Sequence, residues 1–186
     1  MAGFKIIEQP ADESVTVVEV AAQLRYDDDM ITPELETEIS NWIATAREWC
    51  EGYQNRAYVT QTLELALDEW PRGREIILPR PPLQSVESIV YISGDGTNTE
   101  WPTTEYIVDD YAFVARIVKK SSWPCNALAV ANGVRIRYIA GGEVTSVPRR
   151  VKQAIILLAA FWLENGLCNP PAAVYALLNL DRVVPI

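Results

Sequence analysis

Several residue groups in the sequence are of types that carry chemistry. Asp27, Asp28 and Asp29 stand in a row, as a metal-binding triplet would. A calcium loop also needs a central glycine and a distant glutamate, and this stretch has neither, so a solvated loop is the plainer reading. Glu48 and Glu51 lie beside Arg47 on a helical pattern, where solvated helix charges explain them better than acid–base catalysis. The stretch SGDGT at 93–97 has the composition of a phosphate loop, but its glycines are spaced for a hairpin turn and no helix follows. Tryptophans can stack nucleobases. Trp42, Trp49 and Trp162 instead fall on apolar helix faces, which favours core packing. The chain has no histidine, which removes the commonest general base, the commonest metal ligand and every Ser-His or Cys-His nucleophile pair. Cys50, Cys125 and Cys168 form an odd set without CxxC spacing, so neither a disulfide framework nor a zinc site follows. The expectation is no catalytic residue, no cofactor and no metal.

What remains is charge and apolar surface. The net charge of −9 does not suit a protein that grips phosphate backbones. With 49% apolar and 22% charged residues, the 186-residue chain is expected to fold as one large domain or two small ones. Its start lacks the basic and apolar regions of a signal peptide. The longest apolar run, Ala154–Leu163, spans ten residues, too few to cross a bilayer. A cytosolic product with reduced thiols and no membrane partner is expected.

The elements that must position these groups follow from periodicity. Thr16 and Glu19 fit a capping box, opening a short helix to about Arg25. Thr32-Pro33-Glu34 reads as N-cap, N1 proline and first-turn acid. From Leu35 to Tyr53 one apolar face then runs through five turns. Between about 58 and 140 the period becomes two. Strand candidates lie at 59–67, 75–78, 86–92, 106–108, 115–118 and 134–139, separated by turn signals that include Asp109-Asp110 and Asn132-Gly133. The prolines of LPRPP at 78–82 read as a rigid turn between two strands rather than a polyproline ligand. Pro148 opens a second long helix that ends near Gly166. That helix is apolar nearly all round, so other helices and a neighbouring subunit are expected to cover it. Its first turn carries Arg149, Arg150 and Lys152, the wrong sign for the helix dipole; a solvated face is the plain reading and an acidic partner surface the other. A short helix follows over 172–180, then a tail ending in VVPI. Residues 1–13 read as an extended lead-in.

The expected fold class is therefore α+β. A helical bundle of two long and two short helices carries an inserted antiparallel β module. The expected division is 14–57 (helices), 58–142 (β module) and 143–186 (helices and tail).

Taken in order, the stretches AAQLRYDDD, AREWCEGYQNRAYVTQTLEL, IILPRPPLQSVESIVYISGDGT, VRIRYIAGG, VPRRVKQAIILLAAFWLENG and VYALLNLDR resemble the head–tail connector family of tailed bacteriophages. That family, also called head-completion or adaptor proteins, includes prophage and gene-transfer-agent relatives. Glu51-Gly52-Tyr53-Gln54-Asn55-Arg56 before a Thr-Gln strand, Leu78-Pro79-Arg80-Pro81-Pro82, and Pro148 before an apolar helix carry most of the resemblance, which covers roughly 18–182. It implies a non-enzymatic virion protein forming a ring, commonly a dodecamer, under the portal at the head–tail junction, assembled in the bacterial host cytoplasm. The ring extends the DNA channel and offers a surface to the next tail-proximal or stopper protein, and packaged DNA passes without specific binding. On this reading the subunit, portal or tail contacts are Arg149, Arg150, Lys152, Trp162, Leu180, Asp181, Arg182, Val183, Val184, Pro185 and Ile186. Asp27, Asp28 and Asp29 are the channel-facing acids. The alternatives are an interaction module that forms no ring, or a small enzyme using carboxylates.

Overall fold

The computed structural model describes residues 2–124 and 127–183. The chain divides into two compact units, one formed by Met1–Ala11 with Thr60–Gly142 and the other by Asp12–Val59 with Glu143–Ile186. It passes between them three times, after Ala11, Val59 and Gly142.

The first unit is β. Strands β1 (Ala2–Glu8), β2 (Gln61–Leu67), β3 (Glu75–Ile77), β4 (Leu83–Ile92), β5 (Asn98–Glu100), β6 (Tyr106–Asp109), β7 (Arg116–Lys119) and β8 (Val134–Ala140) form two antiparallel sheets. The larger has the order β1-β2-β8-β4-β5 and the smaller β3-β7-β6. Alternation sorts the larger sheet by face. Leu63, Leu65, Ile89, Val134, Ile136 and Tyr138 are buried, while Lys5, Glu64 and Arg137 share a cross-strand row on the opposite face. Trp70, Trp101 and Trp123 form a second cluster, with Trp70 stacked on Trp123 at 5.0 Å and 9°. Trp101 and Trp123 are buried, which removes them as base-stacking platforms. At the Asn132-Gly133 turn a Cβ on Gly133 would stand 2.8 Å from the Leu128 side chain, so only glycine fits there.

The lead-in expected over residues 1–13 is in fact partly strand β1. A bulge between Ile6 and Glu8 leaves Ile7 out of register, which hides the two-residue period. The proline segment is the turn between β3 and β4. The Pro81–Pro82 bond is cis, Arg80 has φ 60°, and the buried Tyr138 hydroxyl donates to the Pro79 carbonyl at 2.7 Å.

The second unit is helical: α1 (Val17–Leu24), α2 (Pro33–Gln54), α3 (Arg149–Asn165) and α4 (Ala172–Leu178). Thr16 and Glu19 form the expected capping box, and the Thr32 hydroxyl accepts from the Leu35 amide. Asn55 in the left-handed region ends α2, and its amide donates to the Glu51 and Gly52 carbonyls. Val20, Ile39, Ile43, Ile155, Leu158 and Trp162 are among the core residues. Burying each large apolar side chain contributes about 1.5–3 kcal/mol.

One expectation is overturned here. Arg47 and Glu51 are not solvated helix charges; they are 2% and 1% exposed. The Arg47 Nε–H lies 3.0 Å from both Glu13 carboxylate oxygens, and Nη1 donates to Glu51 Oε2 at 2.9 Å. Glu51 Oε1 accepts from the Tyr58 amide at 2.7 Å. An ion pair this deep needs its lone pairs filled in this way, because desolvation otherwise exceeds the Coulomb gain. Glu48, by contrast, is exposed.

Candidate functional site

No group of three or more His, Cys, Asp or Glu residues among those described could hold a metal ion. No helix among the described residues is long and apolar enough to cross a membrane. Four amides of the SGDGT stretch are engaged: Ser93 N donates to Thr97 O, Gly94 N to Ala127 O, Gly96 N to Ser93 O, and Thr97 N to Asp95 Oδ1 at 2.9 Å. The Thr97 amide and hydroxyl hold the Asp95 carboxyl below the usual carboxylate range. This is a closed turn with no cradle for phosphate. The chemistry that remains is that of surfaces.

Charge is unevenly shared between the units. The helical unit holds 14 carboxylates against 7 Lys and Arg, and the β unit 11 against 9, for net charges of −7 and −2. Six of the helical unit's acids fall between Asp27 and Glu38 with no cation among them. Asp27 is exposed just before the 3-10 turn Asp28–Met30 and Asp29 within it, and Glu34, Glu36 and Glu38 are exposed on the first turns of α2. Backbone and Thr32 hydrogen bonds hold the Glu34 carboxyl below its ordinary range. The side chain of Asp28 lies outside the described residues.

The basic cluster sits where the sequence places it. Arg149 is exposed and Arg150 and Lys152 are half-buried on the first turn of α3, whose N-cap, Pro148, makes no side-chain cap. Trp162 lies in the interior instead: it is 2% exposed, touches Trp42 and Trp49, and donates from Nε1 to the Cys168 carbonyl at 2.8 Å. A ring so enclosed has no surface to offer a neighbour.

The end of the described chain is tied down. Arg182 Nε donates to the Tyr53 carbonyl at 3.2 Å, and its guanidinium lies 4.9 Å over the Tyr53 ring. The Val183 amide donates to the Gln54 carbonyl at 2.9 Å. Tyr53 reaches back to Asn179 Oδ1, and the Gln54 side chain donates to the Leu178 carbonyl. Residues 178–183 therefore cover the last turn of α2 and satisfy carbonyls that the helix leaves free. Leu180 stays 75% exposed on this strap. Val184, Pro185, Ile186 and the side chain of Asp181 lie outside the described residues.

Two surfaces escape the sequence reading. One is a groove of about 330 Å³ in the helical unit. Leu24, Leu157, Ala160, Phe161 and Pro171 line it, with Arg25 and Glu164 at its polar rim. It is the uncovered side of the all-round apolar α3. The other is the smaller sheet of the β unit, where Ile77 and Ile107 are exposed and the β6–β7 hairpin carries Tyr111, 100% exposed, and Phe113. An aromatic next to the Asp109-Asp110 turn signal was the available clue, since turn tips are ordinarily polar.

No family model matches the sequence, and no curated protein matches it. Solved structures do. A chain from the virion of a native gene transfer agent particle superposes with a TM-score of 0.78 at 22% identity, covering 98% of this chain and 96% of that one. A chain from the neck of an empty gene transfer agent particle, computed with C6 symmetry, gives 0.80 at 21%, over 99% and 97%. A chain from the neck of a native particle, computed with C12 symmetry, gives 0.71 at 23%, over 98% and 97%. The chain shares their fold. At these identities it is the order of helices and strands, rather than particular side chains, that the likeness establishes, and it extends through both units.

Proposed function

We propose that this chain is a structural, non-enzymatic neck protein of a virion or virion-like particle, assembling as a ring at the head–tail junction beneath the portal. The supporting observation is the end-to-end fold likeness to chains of particle necks computed with C6 and C12 symmetry. On this reading the ring holds twelve copies, continues the DNA channel, and offers its far side to a tail-proximal or stopper protein. The acidic helical unit suits passage of DNA, because carboxylates repel phosphate and leave counterions in place. The exposed Asp27 and Asp29 are the side chains proposed to face the channel, with Asp28 between them. Arg149, Arg150 and Lys152 are proposed to meet an acidic surface of the portal or of another copy, and Leu180 with the residues after Arg182 to contact the portal. Particles assemble in the host cytoplasm.

The test is assembly. Purified full-length chain, alone and mixed with its portal protein, is measured by light scattering and imaged by electron microscopy. Closed rings are expected. A chain that stays monomeric under both conditions overturns the reading.

A further inference from the structure

A ring of identical subunits needs two different, complementary surfaces on every copy, because a head-to-tail contact never joins a patch to itself. The two surfaces described above have the required properties. The hairpin tip of the β unit carries the fully exposed Tyr111 beside Asp110. The groove of the helical unit is an open apolar trough of about 330 Å³ with Arg25 and Glu164 on its rim. Asp110 and Arg25 are both exposed, and neither has an ion-pair partner among the described residues. Asp109, the other carboxylate of the turn, is already paired with Arg116 at 2.8 Å.

We infer that Tyr111 of one copy inserts into the groove between α1, α3 and α4 of a second copy, with Asp110 meeting Arg25. This deepens the ring reading and rests on it. The tyrosine ring would cover Leu157 and Phe161, which the chain's own helices leave half-exposed. Its hydroxyl would reach the polar rim, where Glu164 can accept and Arg25 can donate. Tyrosine is among the residues enriched at dominant interface contacts, which cluster in well-packed, desolvated pockets. The groove and the hairpin belong to different units of the chain. Passed head to tail from copy to copy, the contact is heterologous, the kind that generates a ring where its rotation closes.

Charge exchange tests this without touching the core. Full-length wild type, Tyr111→Ala, Asp110→Arg, Arg25→Asp and the Asp110→Arg/Arg25→Asp double variant are compared for ring formation by light scattering and electron microscopy. Circular dichroism confirms that each is folded. Tyr111→Ala and the two single charge variants are expected to weaken association about tenfold or more. The double variant is expected to recover much of it, which misfolding could not produce. A photo-crosslinker placed at position 111, in a mixture of light and heavy-isotope chains, is expected to join light copies to heavy ones through residues of 157–164. If wild type and all variants form rings equally, the inference falls and the ring reading stands. If wild type forms no ring either alone or mixed with its portal protein, both fall. Crosslinks confined to one copy, or directed only to portal or tail proteins, overturn the inference by giving the hairpin another occupant.

Discussion

The two units solve the same burial problem with opposite use of charge. The helical unit buries the Arg47–Glu51 ion pair, with the part-exposed Glu13 on the same guanidinium, and carries most of its other acids on α1, α2 and the turn between them. The β unit keeps its ion pairs outside. Arg116 bridges Glu75 and Asp109 on the exposed face of the smaller sheet, and Arg137 pairs with Glu64 on the larger. Its interior holds Leu63, Ile89, Ile136 and Tyr138 together with a tryptophan cluster in which Trp70 stacks on Trp123. Both units pack aromatic rings, but one also carries charge into its core while the other holds these ion pairs at a nearly balanced surface. The same difference predicts how each unit fails.

The largest effect is expected at Trp162. Trp162→Ala removes a buried ring that touches Trp42 and Trp49 and should cost about 3–5 kcal/mol, measured by denaturant unfolding. Hydrogen exchange on the same variant should lose protection in α2 and α3 before β2 and β8. Equal loss in both units would erase the contrast drawn above. Arg47→Ala strands Glu51 without its cation and should cost about 3–5 kcal/mol, whereas loss of one exposed pair contributes about 0–1 kcal/mol. A small effect at Arg47 would mean that water reaches the site.

Alkali should separate the units by a smaller amount. Burial, then the neighbouring Glu51, pushes the Cys50 thiol up to about 12 from an unfolded value of 9.0. Burial likewise pushes the Tyr138 phenol above its ordinary 10.0. In each case the folded state holds a proton that the unfolded state releases. The stability is thus complete below the unfolded pKa and is lost as pH rises toward the folded one. The helical unit should weaken from about pH 9, by at most about 1.4 kcal/mol per pH unit, and the β unit only from about pH 10. Cys50→Ala should flatten the first slope, read from unfolding curves between pH 8 and 11. A slope unchanged by that substitution would assign it to another group. The smallest effect is local. Arg182→Ala should raise amide exchange at 179–183 while leaving global unfolding nearly unchanged. A drop in global stability would make the strap part of the core.

The helical unit was legible because its signals are local. Thr16 with Glu19, Thr32 with Pro33, and an apolar face through α2 each declare themselves within a few residues. The main strands were legible by alternation, but β1 was lost to its bulge at Ile7 and β5 to its short polar sequence, NTE. Arg47 was misread because a buried arginine and a solvated one look alike in a helix pattern. Only Glu13, 34 residues away, tells them apart. The candidate surfaces were half legible. Arg149, Arg150 and Lys152 stood out by breaking the dipole rule. The groove needed residues from α1, α3 and the start of α4 brought together, which no window of sequence contains. Trp162 was placed correctly on an apolar face, yet that face turns inward.

The threefold passage of the chain between its units has a mechanical consequence. Neither unit is a continuous segment, so no single cut releases one from the other and no truncation yields either whole. A pull exerted on one unit against the other is divided among three covalent tethers, at Ala11–Asp12, Val59–Thr60 and Gly142–Glu143. Glu13 and Tyr58, two residues or fewer inside two of these tethers, are both anchored to the buried Arg47–Glu51 pair. Tension arriving along either tether would meet that pair first.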